Sequence, residues 1–200
     1  MAAQKKLIYI AGVVIILIVI IAAYWLMTQP AEKPAPTPTP TPTPTPAEEV
    51  EFDFETDEQG WAPAFRALTQ VQHTTEDAKS GSGSLKIYFD RSAGQDGGAQ
   101  VVFDTPKDLT GKRLSLWMKV PEEAAAIDIQ AKLFVMSSSW AWADAGDPVH
   151  FSGKGGQWVE LTFDLSTVDW ASDIKVIGIL VGEWAGGEWS GWFYIDALNW

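Results

Sequence analysis

The sequence predicts an all-β domain over residues 48–200, folded as a β-sandwich of the jelly-roll type. Two observations predict it. Apolar and polar residues alternate in short runs, and Gly, Asp and Ser turns separate those runs. Helical periodicity is weak throughout this stretch, which at ~150 residues is long enough for one hydrophobic core.

The first 47 residues have a different character. Lys5 and Lys6 precede 21 residues, Leu7–Met27, without a charge. That length crosses a ~30 Å hydrocarbon layer as a helix, and it exceeds the apolar region of a cleavable signal peptide. Tyr24 and Trp25 fall where an interfacial aromatic belt belongs. The expectation is an uncleaved transmembrane signal anchor at 7–27. Residues 1–6 would be cytoplasmic and the C-terminal domain extracellular, as the two lysines dictate. Residues 28–47 form a linker dominated by a Pro-Thr repeat. Its prolines fix an extended polyproline conformation, a stalk of roughly 40 Å.

Strands are predicted at Val50–Glu55, Ala67–Gln72, Ser84–Phe89, Ala99–Asp104, Arg113–Lys119, Ile127–Met136, Val149–Phe151, Trp158–Leu165, Lys175–Val181 and Trp192–Leu198. Glu122–Ala126 is at most one helical turn. Alternation sorts the faces. Ile127, Ile129, Leu133 and Val135 go inward, leaving Asp128, Gln130, Lys132 and Phe134 outward. Val101 and Phe103 go inward, as do Leu114, Leu116 and Met118. If these strands are neighbours, one outer face carries Gln100, Trp117, Gln130, Lys132 and Phe134. Amides and an ammonium beside aromatic rings suit a sugar, because a hydroxyl both donates and accepts. An ordinary solvated sheet face with Trp117 under a loop is the plainer alternative.

The net charge is −12, and residues 48–200 hold 25 acids against 11 bases. Such a domain repels nucleic acid and anionic membrane surfaces and suits a neutral partner. No cysteine is present, which excludes disulfides and a thiolate nucleophile. Neither histidine, His73 nor His150, has zinc spacing or a nucleophile partner, and no motif pairs two carboxylates for glycoside hydrolysis. The domain is expected to have no catalytic activity.

Ten of the eleven tryptophans lie in the outer domain. Trp158, Trp192 and Trp200 are assigned to packing. Trp61, Trp140, Trp142, Trp184 and Trp189 fall at strand ends or in loops and are candidates for display. A pyranose presents an apolar C–H face that lies flat on an indole. Burying ~80 Å² in this way contributes about 2 kcal/mol per ring. Trp140 and Trp142 follow a strand and a Ser137–Ser139 step, and together they would wall a cleft. The alternatives are that one stacks on sugar while the other props the loop, or that one or both fold back to cap the sandwich core.

Several stretches in order resemble a known family. They are Asp53–Trp61 (DFETDEQGW), Ser80–Ile87 (SGSGSLKI), Phe134–Gly146 (FVMSSSWAWADAG), Gln157–Ser166, Ile177–Ile179 and Tyr194–Asp196. Together they resemble the jelly-roll, galactose-binding-like carbohydrate-binding modules attached to mannanases and other β-1,4-glycanases. The resemblance implies non-catalytic binding of β-mannan, glucomannan or β-glucan chains, with Trp61, Trp140 and Trp142 as stacking aromatics. Gln100, Trp117, Gln130 and Lys132 complete the expected carbohydrate site. Two positions depart from the pattern. Met136–Ser139 stands where the family more often has Thr-Gly, and Leu180 stands at a cleft position that often bears an amide. The resemblance also implies a structural Ca²⁺ away from the cleft. Asp53, Glu55, Ser82 and Asp196 would hold it, with backbone carbonyls from the Ser80–Ser84 turn.

The chain is thus expected to be a membrane-anchored extracellular polysaccharide-binding protein, with no catalytic domain after Trp200. A surface adhesion or sensory domain that binds a protein or another envelope component is the alternative, since fold does not fix function.

Overall fold

The computed structural model describes residues 24–25, 50–183 and 187–200. The expected anchor, apart from helical Tyr24 and Trp25, lies outside the described residues, as do the linker and Trp184. Among the described residues no helix is long and apolar enough to cross a membrane. The described residues from Val50 to Trp200 form one compact unit.

That unit is two antiparallel sheets. The strands are β1 (Ala62–Arg66), β2 (Leu68–Thr74), β3 (Ser84–Phe89), β4 (Asp96–Lys107), β5 (Arg113–Lys119), β6 (Gln130–Ser137), β7 (Trp142–Asp144), β8 (Val149–His150), β9 (Trp158–Asp164), β10 (Ile174–Gly182) and β11 (Gly191–Asn199). Sheet I runs β1-β4-β10-β6-β7, with β8 paired to β6. Sheet II runs β2-β3-β11-β5-β9. The core lies between them, filled by the inward residues of each strand: Leu85, Ile87 and Phe89 of β3, Leu114, Leu116 and Met118 of β5, and Ile177, Ile179 and Val181 of β10. Strand β10 reads as a nearly unbroken apolar run because its outward Val176 is buried as well.

Three expectations about strands change. Val50–Glu55 is no strand but a single bridge, Phe52 to Leu198. Phe54 turns the chain there with φ 51°, although Phe52 and Phe54 face the core as alternation requires. Ala67–Gln72 is the start of β2 only, and β1 precedes it in the other sheet. The chain crosses between sheets at Arg66, whose φ is 56°. Last, β5 lies in sheet II, paired with β11 and β9. Trp117 therefore cannot share a face with Gln100, Gln130 and Lys132. Period-2 alternation fixes which side chains point outward, but it is silent on which sheet a strand joins.

Candidate functional site

The outer face of sheet I is ordered in rows set by its registers. One row is apolar: Val102, Val176, Met136 and Trp142, on β4, β10, β6 and β7. The next holds Ala62, Gln100, Gly178, Phe134 and Asp144. Then come Phe65, Gly98, Leu180 and Lys132, and beyond them Asp96, Gly182, Gln130 and His150. The face thus grades from apolar at the β6–β7 hairpin to polar at its other end.

Its centre is an aromatic platform. Phe134 is fully buried, yet not by the core. Its ring lies across Gly178, where a Cβ would meet Phe134 Cζ at 2.3 Å. Phe65 lies over Gly98 in the same way, with a Cβ-to-ring approach of 2.5 Å. The two glycines let both rings rest against the backbone of the sheet. Trp142 stacks on Phe134 with centroids 4.3 Å apart and planes 12° apart, and Phe65 meets Trp142 at 6.5 Å and 60°. One indole face is used for this stacking, and Trp142 remains 41 % exposed.

Polar groups frame the platform. Lys132 Nζ lies 3.0 Å from Asp144 Oδ2 and donates to the Gly146 carbonyl at 3.3 Å. Trp142 Nε1 donates to the same Asp144 oxygen at 3.2 Å, and Gly146 N–H to Oδ1 at 2.9 Å. Burial pushes the Asp144 carboxyl up, but the bonds from Lys132, Gly146 and Trp142, with the lysine charge, outweigh it and hold the group below its ordinary value. Arg66 pairs with Asp96 at the polar end. There a groove of about 360 Å³ is lined by Asp96, Gln130, Lys132, Pro148 and Leu180. Gln130 is 6 % exposed and donates to Asp128 Oδ2 at 3.2 Å, an oxygen that also lies 2.7 Å from His150 Nδ1. Asp128 Oδ1 is buried without a hydrogen-bond partner among the described residues. A hydroxyl donor would satisfy it.

The sequence-predicted sugar residues thus divide. Gln100, Gln130, Lys132 and Trp142 come together on this face. Trp140 is exposed on the adjoining hairpin turn. Trp61 is only 4 % exposed and edge-packs on Phe52 and Phe54, so its indole has no free face for a sugar. It closes one end of the core. Trp117 lies on sheet II with Lys79 Nζ 3.9 Å above its ring. Trp189 is likewise buried, stacked on Phe89. Sequence reasoning missed Phe65, Asp128 and Asp144. Phe65 and Asp144 sit on β1 and β7, the two short edge strands, whose patterns are too brief to read.

Of the four residues expected to hold calcium, Ser82 belongs to the Lys79–Gly83 loop, and Glu55 and Asp196 accept hydrogen bonds from it. Glu55 accepts from Ser82 N–H at 3.0 Å, Ser82 Oγ–H at 2.7 Å and Gly83 N–H at 3.3 Å. The Ser82 hydroxyl bond, then the two N–H bonds, hold its carboxyl below the ordinary value. Asp196 Oδ2 accepts from Lys79 and Ser80 N–H at 2.7 and 3.0 Å, and Oδ1 from Ala197 N–H at 2.6 Å. Burial pushes the Asp196 carboxyl up against these donors, and the Glu55 charge acts in the same direction. Asp53 Oδ1 accepts from Gln59 Nε2 at 2.8 Å. The loop meets both Glu55 and Asp196 with donors rather than carbonyls. Among the described residues no three His, Cys, Asp or Glu side chains gather as metal ligands. As arranged, the set is a hydrogen-bonded clasp.

Comparison with solved structures places the fold among β-sandwich modules. A carbohydrate-binding module from the β-sandwich superfamily, studied for promiscuous specificity, is 24 % identical with a TM-score of 0.59. The alignment covers 76 % of this chain, which spans 62 % of that one. A module specific for non-crystalline cellulose is 14 % identical with a TM-score of 0.59, over 76 % of this chain and 93 % of the other. An exo-β-agarase is 15 % identical with a TM-score of 0.58, over 75 % of this chain and 24 % of its own. A search of curated proteins finds no match. Residues 52–197 match the family described as mannanase, galactose-binding domain-like, and the chain belongs to that family.

Proposed function

We propose that this chain is a non-catalytic, membrane-anchored polysaccharide-binding protein. Its outer domain binds neutral β-1,4-linked mannan, glucomannan or glucan chains on the outer face of sheet I. The observation that carries the reading is the Trp142–Phe134 stack, which leaves Trp142 41 % exposed on the sheet face that also carries the Lys132–Asp144 pair and Gln100. The indole receives the C–H face of a pyranose, and the amides and the ion pair meet the ring-edge hydroxyls. Lys132 and Arg66 are each paired with a carboxylate, and residues 48–200 hold 25 acids against 11 bases, which favours a neutral chain over an acidic polysaccharide. The family membership and the carbohydrate-binding modules among the similar folds support the same reading.

Native gel electrophoresis through glucomannan, galactomannan, xylan or hydroxyethyl cellulose tests it. Retardation of the wild-type chain that Trp142→Ala removes is the expected result. No retardation by any of the four leaves a protein or other envelope partner as the better reading. The 21 uncharged residues Leu7–Met27 support the anchor. Release of the intact chain from membranes by alkaline carbonate would count against it. Calcium remains a separate proposal for the clasp. An ion there would have to displace the Ser82 and Gly83 donors from Glu55.

A further inference from the structure

At the polar end of the sheet I face, one carboxylate is held where it gains little from the fold. Asp128 precedes β6, and its backbone neighbours are fixed. Ile129 N–H donates to the Ile127 carbonyl and Phe151 N–H to the Ile129 carbonyl, both at 2.9 Å. The Asp128 side chain is mostly buried, and its Oδ1 has no hydrogen-bond partner among the described residues. Burying a carboxylate oxygen in that state costs free energy, and the neutral amide of Asn would be cheaper to bury. Such an exception calls for a task performed by the rest of the group.

The other oxygen supplies that task. Oδ2 lies 2.7 Å from His150 Nδ1 and accepts from Gln130 Nε2 at 3.2 Å. An ionised carboxylate only accepts, so the imidazole meets it with Nδ1–H. The same rule fixes the amide. Turned over, Gln130 would set Oε1 against the carboxylate, acceptor against acceptor. Asp128 therefore holds the NH2 end, and Oε1 is the acceptor that Gln130 can offer to a ligand. Among the described residues Oε1 has no partner. Gln130 lines the groove of about 360 Å³ beside Lys132 and Leu180, and its neighbours across the strands are Gly182 and His150.

We propose that Asp128 is a positioning residue of the sugar face. Pinned by His150, it orients the Gln130 amide so that the groove meets a neutral polysaccharide with a carbonyl acceptor for a sugar hydroxyl. This rests on the proposed function and adds to it a polar contact far from the stacking one. Gln130 stands six residues before Met136, the β6 partner of Trp142, about 20 Å along the strand. The two contacts engage different units of one chain and are energetically separate.

The test is a double-mutant cycle on affinity, which separates action through Gln130 from a merely structural role. The full-length chain in a non-glycosidic detergent is titrated with β-1,4-mannohexaose and with cellohexaose, and the tighter ligand is used for the cycle. Asp128→Asn and Gln130→Ala are each expected to lose about three- to tenfold. The double variant should lose no more than Gln130→Ala alone, because Asp128 acts through that amide. His150→Ala removes a side chain that is more than half exposed, so it spares the fold. It should lose about twofold in the wild-type background and nothing further beside Gln130→Ala. Losses that multiply in the double variants overturn the proposal, since Asp128 would then act by another route. If the wild-type chain binds neither hexasaccharide, the proposed function fails, and this inference fails with it. Binding that Trp142→Ala weakens while Asp128→Asn and His150→Ala leave it unchanged overturns this inference alone.

Discussion

The indole of Trp142 lies 4.3 Å from the ring of Phe134 and nearly parallel to it, and Phe134 in turn lies against Gly178. Backbone, ring and indole thus support one another in sequence. A tryptophan supported in this way loses little freedom when a sugar settles on its outer face, which favours tight stacking.

The stack makes Gly178 a supporting residue of the proposed sugar face. In Gly178→Ala the new Cβ would meet Phe134 Cζ at 2.3 Å and the Ala99 carbonyl at 2.7 Å. Phe134 must shift and tilt Trp142 with it. Chemical denaturation should show a loss of about 1–3 kcal/mol, and glucomannan affinity should fall. Wild-type stability in this variant would mean that the ring is not held against the sheet.

The Lys132–Asp144 pair sets a pH limit. The Asp144 carboxyl is held below its ordinary value, so its bonds contribute fully above that value and are lost as pH falls through the lowered one. Partial exposure and solvent screening keep the contribution to about 0.5–1 kcal/mol. The stability gap between wild type and Asp144→Asn should be constant from pH 8 to about 5 and close below about 4. A gap that does not narrow as the pH falls below the ordinary carboxyl range would contradict the ion-pair account.

The loop clasp gives a third expectation. Glu55→Ala leaves the Ser82 and Gly83 N–H groups without their acceptor, and the thermal midpoint should drop. EDTA added to the wild-type chain tests the calcium proposal: an unchanged midpoint would show that the clasp holds with N–H donors alone. A lower midpoint in EDTA would show that an ion replaces those donors.

Much of this was legible in the sequence. Ser84–Phe89 and Arg113–Lys119 were predicted with the bounds that the structure shows, because their alternation is strict and turns flank both. The outward set Gln130, Lys132 and Phe134 was also right in direction. Sheet membership was not legible, which is why Trp117 was misplaced. Trp61 misled for another reason: a tryptophan after a Gln-Gly turn reads as displayed, and only the Phe52 and Phe54 rings reveal it as core. Phe134 was read as outward but not as covered, since the ring that covers it lies across the hairpin.

The most direct test of the central claim compares Trp142→Ala with Trp117→Ala by isothermal titration with a glucomannan oligosaccharide. The two indoles stand on opposite sheets of one fold. Binding on the outer face of sheet I predicts that Trp142→Ala loses at least about tenfold in affinity, near the ~2 kcal/mol of one stacked ring, while Trp117→Ala binds as wild type. Retained binding in Trp142→Ala with loss in Trp117→Ala would place the glycan on the other sheet and contradict the account.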